Sequence, residues 1–267
     1  MKSFNPIRKL SRQIKKKRIT NSLHKLVRSR RLWAARFGFP ELVDIPPGKR
    51  VMVLSPHPDD DVIGAGGTLA KHAAFGAKIH SIVLTDGGRG DPDGRYGDIV
   101  QQRKEEARNA DSIIGIRNLT FLGYQDGNLT VVEDHIDELH KHIRDYVPDL
   151  IYLPFFLDTH PDHRATMTLA AEAVKRFNRN CICCFYETWV PLLPNIIVDI
   201  SHEMTLKLNA IAAHESQLHS IAFTDLAEGM ARYRTGQYSA SIRYAEAFIM
   251  MNRKDFLEFY ESIVATG

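Results

Sequence analysis

Two short strings in the sequence carry His and Asp side chains at spacings that suit a metal centre. They are His-Pro-Asp-Asp-Asp at residues 57–61 and His-Pro-Asp-His at residues 160–163. A spacing of three residues lets one turn of backbone direct two side chains at a single point. His57, Asp60 and His163 would together form a set of two imidazoles and one carboxylate. Such a set leaves coordination positions free for water and substrate, as catalytic metal sites require.

A hydrolytic reaction at such a centre also needs a base. A bound metal lowers the pKa of a water ligand to about 7 and polarises a carbonyl group. A carboxylate must then accept a proton from the water without binding the metal. We assign Asp59 to this role because its neighbour Asp60 points the other way in an extended loop. An alternative is that the first string only caps a helix. A helix cap does not need a His followed by three acids, so we favour the metal site.

The predicted elements place both strings at strand ends. Apolar runs predict strands at Arg50–Leu54, Lys78–Thr85, Leu119–Leu122, Leu150–Pro154, Cys181–Glu187 and Ile196–Ile200. Amphipathic segments predict helices at Gly64–Phe75, Ile99–Ile114, Val131–Tyr146, Arg164–Phe177, Met204–His214 and Asp255–Ile263. This alternation indicates an α/β fold, Rossmann-like, with a mostly parallel sheet and helices on both faces. Loops after the first four strands hold most of the unusual polar residues, which predicts an active site at the carboxyl edge of the strands.

Composition and length indicate a globular protein with an appendage. The 267 residues are 44% hydrophobic and 25% charged, and the sequence has no apolar run of membrane-spanning length. We divide the chain into an N-terminal appendage (1–36), a linker (37–49) and a catalytic domain (50–267). The three Cys, all within 181–184, suit buried thiols in a strand better than a disulfide framework or a metal cluster. They favour a reducing compartment, so we expect a cytoplasmic protein.

The charge of the chain is unevenly distributed. Residues 1–36 hold 13 of the 35 Lys and Arg residues and no acid, which leaves 22 bases against 32 acids in residues 37–267. Ile7, Leu10 and Ile14 recur at helical spacing in the basic segment. A basic amphipathic helix suits an anionic membrane surface, which would place the protein at the inner membrane face. Three alternatives for this segment stay open: a solubilising tail, a transit peptide and a nucleic-acid contact. Among possible partners of the protein, we do not expect nucleic acid.

Several further motifs, in a fixed order, carry a resemblance to a known family. They are Ser-Pro-His-Pro-Asp-Asp (55–60), Thr-Asp-Gly-Gly-Arg-Gly (85–90), Arg-Lys-Glu-Glu-Ala-Arg-Asn-Ala (103–110), Phe-Leu-Gly-Tyr-Gln-Asp-Gly (121–127), His-Pro-Asp-His (160–163), Ala-His-Glu-Ser-Gln (213–217) and Ala-Glu-Ala-Phe (245–248). Together they resemble the PIG-L/LmbE-like de-N-acetylases over about residues 50–250. The resemblance does not reach the basic N-terminal segment.

The resemblance implies a zinc hydrolase that removes acetyl groups from amines of the N-acetylglucosamine type. By motif, it implies that His57, Asp60 and His163 bind the metal and that Asp59 deprotonates the attacking water. His160 resembles the residue that stabilises the oxyanion and assists departure of the amine, two needs of any amide hydrolysis.

The resemblance implies roles for three further residues that line or support the site. Arg103 and Asp126 resemble substrate contacts, and His214 resembles a supporting residue behind the site. From the residues alone, Arg103 has an alternative as a helix-surface charge paired with Glu105 or Glu106. Asp126 has an alternative as a turn residue.

The sequence departs from the family pattern at one place, and three functions other than deacetylation stay open. Residues 155–159 hold no Tyr, whereas some relatives carry a mobile aromatic residue there, so gating and aglycone preference are in doubt. An amidase of the same fold would cleave a larger amide. Ferrous iron suits the same ligands as zinc, in a hydrolase or in an oxygenase. A sugar-binding module would be expected to lack a ligand or the base, and neither is missing.

Overall fold

The computed structural model describes residues 40–236, 238 and 240–264. The basic appendage at 1–36, with its predicted amphipathic helix, lies outside these residues. Within them, no helix combines the length and the apolar character needed to cross a bilayer.

The described chain forms a mixed sheet of eight strands. They are β1 (Glu41–Val43), β2 (Arg50–Ser55), β3 (Lys78–Thr85), β4 (Asn118–Tyr124), β5 (Leu150–Pro154), β6 (Ile182–Tyr186), β7 (Ile196–Asp199) and β8 (Ala245–Asn252). Their order across the sheet is β1-β7-β8-β6-β5-β2-β3-β4. Every pairing is parallel except those of β8, which is antiparallel to both of its neighbours.

Helices cover both faces of the sheet. They are α1 (Asp60–Ala74), α2 (Ile99–Ile114), α3 (Glu133–Tyr146), α4 (Pro161–Arg176), α5 (Met204–Ala212), α6 (Glu215–Leu218), α7 (Phe223–Tyr233) and α8 (Arg253–Val264). Side chains of β2 alternate between the two faces. Met52 and Leu54 enter a core with α3, α4 and α8, while Val51 and Val53 enter a second core with α1, α2, α5 and α7. The predicted fold class is confirmed.

The chain contains elements that the sequence patterns did not predict. Residues 40–49, the described part of the predicted linker, contribute β1, in which Leu42 pairs with Ile197 of β7. Neither β8 nor α7 was predicted. Helix α1 begins at Asp60 rather than at Gly64, so Asp60 and Asp61 form its first turn. The three Cys residues are buried and free, as predicted.

Close packing of α1 on the sheet depends on two glycines. A Cβ atom on Gly64 would overlap the ring of Tyr186, and one on Gly67 would lie 2.7 Å from Cδ1 of Ile200. Close approach of this helix therefore requires glycine at both positions. It fixes the distance between the start of α1, which carries Asp60, and the strands beneath it.

A buried ion pair anchors α1 to the antiparallel strand. Glu246 of β8 accepts hydrogen bonds from the backbone N–H groups of Gly67 (2.9 Å) and Thr68 (2.8 Å). Its Oε1 also lies 2.6 Å from Nζ of Lys207 on α5. Both charged side chains are buried, with 4% and 3% of their surface exposed. Glu246 belongs to the Ala-Glu-Ala-Phe motif, which is thus a packing element rather than part of the polar cluster at the strand ends.

Candidate active site at the carboxyl edge of the sheet

Four adjacent strands bring the predicted polar residues together. In the order β5-β2-β3-β4 their carboxyl ends lie side by side, and neighbouring strands are separated by about 4.8 Å. The loops that follow these strands carry His57, Asp86, Asp126 and His160. These loops therefore meet at the edge of the sheet where the sequence predicts a single site.

Asp60 lies between two histidines. Its Oδ2 atom is 2.9 Å from Nδ1 of His57 and 3.1 Å from Nε2 of His163. The same oxygen accepts a hydrogen bond from the backbone N–H of His57 at 2.8 Å. All three side chains are buried. The structure therefore brings the three predicted metal ligands to one point.

His160 completes a group of three imidazoles. Its ring centroid lies 4.6 Å from that of His57 and 5.2 Å from that of His163. One ring nitrogen of each histidine lies within 4.8 Å of the others, a spacing that could hold a metal ion. Nδ1 of His160 accepts a hydrogen bond from the backbone N–H of Asp162 at 3.2 Å. The neutral ring therefore carries its proton on Nε2.

The electrostatics of the cluster favour a cation. Burial opposes protonation of His57, but hydrogen bonds with Asp126, Asp162 and Asp60 outweigh it and raise the pKa well above the ordinary value. Burial likewise opposes protonation of His163, whose pKa the charge of Asp60 raises to about 9. The pKa of Asp60 is held well below its usual range because the two histidines outweigh its burial. A carboxylate that stays ionised between two imidazole nitrogen donors suits a divalent cation, so the donor set fits a metal such as zinc.

Asp59 is held by Arg103. Nη2 of Arg103 lies 3.1 Å from Oδ2 of Asp59, and Nη1 donates to the carbonyl oxygen of Gly87 at 3.0 Å. Only 4% of Arg103 is exposed, so the alternative of a helix-surface charge does not hold. Glu106, proposed there as a partner, instead accepts hydrogen bonds from the backbone and hydroxyl of Ser216.

Asp126 faces both the histidines and a cavity. Its Oδ1 lies 3.2 Å from Nε2 of His57, and its Oδ2 accepts a hydrogen bond from the backbone N–H of Arg89 at 3.0 Å. The cavity has a volume of about 500 Å³. It is lined by polar or small residues, namely Asp86, Gly88, Arg89, Gln125, Asp126, Gly127 and Asn128. Asp126 therefore does more than shape the turn before Gly127.

Two carboxylates of the site were not predicted. Asp158 lies 3.2 Å from Nδ1 of His163 and accepts a hydrogen bond from the backbone N–H of His160 at 2.9 Å. Asp162 lies 3.2 Å from Nε2 of His57 and accepts hydrogen bonds from the backbone of Gly127 and Leu129. The imidazole and these backbone bonds outweigh burial and lower the pKa of Asp162 to about 2. Both residues lie within two positions of His160 in the sequence. This proximity to the second string is the feature of the sequence that could have identified them as part of the site.

His214 lies close enough to Asp59 and Arg103 for their charges to act on it. It is almost fully buried, and neither of its ring nitrogens has a hydrogen-bond partner among the described residues. Burial lowers its pKa, and the charge of Asp59 opposes this shift. Its position between α5 and α6 is compatible with a supporting role.

Residues 155–159, whose lack of a Tyr leaves gating in doubt, are mostly buried. Phe155 and Phe156 are buried in the core that contains α4 and α8. Leu157 is 54% exposed and is the apolar residue of this segment nearest to solvent. Residues 155–159 contain no tyrosine, so none from this segment can contribute to the site.

Comparison with known proteins gives consistent matches. Residues 52–174 match the family model described as PIG-L: GlcNAc-PI de-N-acetylase. A diacetylchitobiose deacetylase of Thermococcus kodakarensis is 33% identical over 190 residues, which cover 63% of this chain and 70% of that protein.

Solved structures share the fold over three quarters of the chain. The N,N'-diacetylchitobiose deacetylase of Pyrococcus horikoshii superposes with a TM-score of 0.69 at 28% identity, covering 76% of this chain and 84% of that one. A 4-carboxy-2-hydroxymuconate hydratase, GalB, of Pseudomonas putida gives a TM-score of 0.66 at 26% identity, covering 75% and 95%. The same scaffold therefore supports reactions other than deacetylation.

Proposed function

The chain belongs to the PIG-L/LmbE-like family of N-acetylglucosaminyl deacetylases, and on that premise we propose that it is a zinc-dependent hydrolase of an N-acetylated amino sugar. The observation that carries the proposal is the position of the Asp60 carboxylate between two imidazoles, with Asp59 next to it in the chain. The names of its relatives support an acetylated glucosamine as the reacting unit.

His57, Asp60 and His163 would hold the metal. Two nitrogen donors and one carboxylate are typical of catalytic zinc, and ferrous iron accepts the same ligands. A zinc ion bound there would supply a Lewis acid for the acetyl carbonyl and lower the pKa of the attacking water. Asp158 would orient His163 from the side opposite Asp60, as carboxylates behind metal-binding histidines do.

The remaining polar residues carry out the proton transfers. Asp59 takes a proton from the water that attacks the acetyl carbon, and the ion pair with Arg103 holds its carboxylate in place. The Nε2–H group of His160 donates a hydrogen bond to the oxygen that becomes negative. When the carbon–nitrogen bond breaks, the proton held by Asp59 ends on the departing amine nitrogen, and His160 assists that departure. The products are acetate and a free amino sugar.

The polar cavity beside Asp126 suits a sugar. Carboxylate, amide and guanidinium groups line it, and such groups exchange hydrogen bonds readily with hydroxyls. We place the sugar hydroxyls there, with Asp126 as one contact. Arg103 contributes through Asp59 rather than through a large exposed surface of its own, and the buried His214 supports the pair.

The basic segment supports a location at a membrane. With 13 basic residues and no acid, residues 1–36 would be attracted to an anionic bilayer surface. We propose a cytoplasmic protein that binds the inner membrane face through this segment.

Acetate release tests the proposed function. The purified protein would be loaded with zinc and incubated with methyl, lipid-linked and nucleotide-linked N-acetylglucosaminides, with and without a chelator. We expect equal amounts of acetate and free amine from at least one substrate, lost with the chelator and restored by zinc. Release of a larger acid would identify an amidase instead. Turnover that requires oxygen would identify an oxygenase. No product from any substrate, with zinc shown to be bound, would contradict the deacetylase assignment.

A further inference from the structure

Three exposed apolar side chains lie on the loops that follow β5 and β6. Leu157, Trp189 and Leu193 are 54%, 41% and 61% exposed. We call these three residues the apolar platform. Large apolar side chains at the rim of a ligand site mark a surface that a ligand covers.

The apolar platform adjoins the candidate metal ligands. The backbone N–H of Trp189 lies 3.4 Å from Oδ2 of Asp158, in hydrogen-bonding geometry. That oxygen is the one that lies 3.2 Å from Nδ1 of His163. Leu157 immediately precedes Asp158. The Asp158 carboxylate therefore contacts both the loop that carries Trp189 and the candidate metal ligand His163.

The loop that carries Trp189 is firmly held although it is exposed. The buried Glu187 pairs with Arg234, whose Nε lies 2.9 Å from Oε1, and it accepts a hydrogen bond from the backbone of Leu192. The indole of Trp189 packs against Phe223 at a centroid distance of 5.6 Å. A preorganised apolar surface loses little conformational entropy when a ligand covers it.

The strand order sets the direction in which a substrate would lie. The carboxyl ends follow the order β6-β5-β2-β3-β4. The polar cavity is at the β3 and β4 end, the histidines are in the middle, and the apolar platform is at the β6 end. A glycoside with its sugar in the cavity and its acetamide at the histidines would extend its remaining part toward β6.

We propose that the apolar platform binds the aglycone of the substrate and that this aglycone is an alkyl or acyl chain. Trp189 alone could stack on a further sugar ring, but the side chains of Leu157 and Leu193 offer no hydrogen bonds to hydroxyls. Three exposed apolar side chains on two neighbouring loops suit methylene groups. This inference rests on the proposed function, because it takes the sugar and acetamide positions from it.

Calorimetry with reaction products tests the inference without requiring turnover. The probes are octyl β-D-glucosaminide, methyl β-D-glucosaminide and chitobiosamine, titrated into the zinc-loaded protein. We expect the octyl compound to bind at least about tenfold more tightly than the methyl compound. Leu157→Ser and Leu193→Ser, both on exposed residues, should remove most of this advantage, as should Trp189→Ala. Phe75→Ala is the matched control, because Phe75 is 67% exposed at the opposite end of α1.

The outcomes separate this inference from the proposed function. Equal binding of the octyl and methyl compounds, an octyl advantage that survives both serine variants, or tighter binding of chitobiosamine would each overturn the aglycone assignment. An octyl advantage that depends on the platform, together with no acetate release from the corresponding N-acetyl compound, would support the platform and contradict the deacetylase reaction alone.

Discussion

Arg103 and Asp59 form a buried ion pair across the strand ends, with Nη2 3.1 Å from Oδ2. The arginine is on α2 and the aspartate precedes α1, so the pair joins two helices as well as orienting a carboxylate. This contact fixes the group that we propose as the base.

Asp59→Asn should leave metal binding intact and remove most of the activity. The amide cannot accept the proton from water, and a general base contributes a factor of about 10² to 10⁴. We expect a loss of that size in kcat with one zinc per chain retained, measured by acetate release and metal analysis. The exposed Asp145→Asn serves as the control. Near-normal turnover of Asp59→Asn would mean that another group is the base.

Asp158→Asn should weaken zinc binding while leaving the fold intact. Its carboxylate lies 3.2 Å from Nδ1 of His163, and loss of such a partner typically costs about 10- to 100-fold in metal affinity. Competition with a chromogenic chelator measures the affinity. His163→Ala should fail to retain zinc at all. Unchanged affinity in Asp158→Asn would show that this carboxylate does not orient the histidine.

Gly64→Ala should destabilise the protein because the added methyl group overlaps the ring of Tyr186. Overpacking of this kind costs about 1–3 kcal/mol. Gly229→Ala is the matched control: it lies in α7, and a Cβ there meets nothing within 4 Å. It should stabilise by about 0.5–1 kcal/mol, since alanine is the better helix former. Urea unfolding compares the two, and equal effects would contradict close packing at Gly64.

Acid should destabilise the protein through His72. Burial lowers its pKa from 6.5 to about 4, so the unfolded chain binds a proton that the folded chain excludes between these values. The stability is therefore complete well above pH 6.5 and falls as the pH approaches 4, by about 2–3 kcal/mol at pH 4.5. His72→Gln can keep the hydrogen bond to Tyr152 and should lose less stability between pH 7 and 4.5. A parallel decline in both proteins would exclude His72 as the cause.

The strands and the polar cluster could be predicted because local pattern and topology agree there. β3 and β5 have the predicted bounds, since each is an apolar run that ends at a polar loop. α2 also has the predicted bounds, with Gly115 adopting a positive φ of 88° at its end. The carboxyl ends of parallel strands meet at one edge, so His57 and His163 could be placed together before the structure was known.

Other features depend on distant contacts that leave little local signal. The partners of Asp158 and Asp162 are backbone groups and imidazoles supplied by several loops, so spacing along the chain did not reveal their roles. The ion pair of Arg103 with Asp59 spans two helices in the same way. β8 contains the charged Glu246, whose partners on α1 and α5 come from elsewhere in the chain, and a charged residue is not expected in a central strand.

The position of β8 has a consequence for biosynthesis. Residues 245–252 emerge from the ribosome after the seven other strands of the described chain, yet they pair with both β6 and β7 in the interior of the sheet. β1 and β7 reach the other strands through β8. Until this segment is available, two pieces of sheet have exposed edges that other nascent chains could pair with. Emergence of residues 245–252 from the ribosome therefore closes the sheet and removes these two exposed edges.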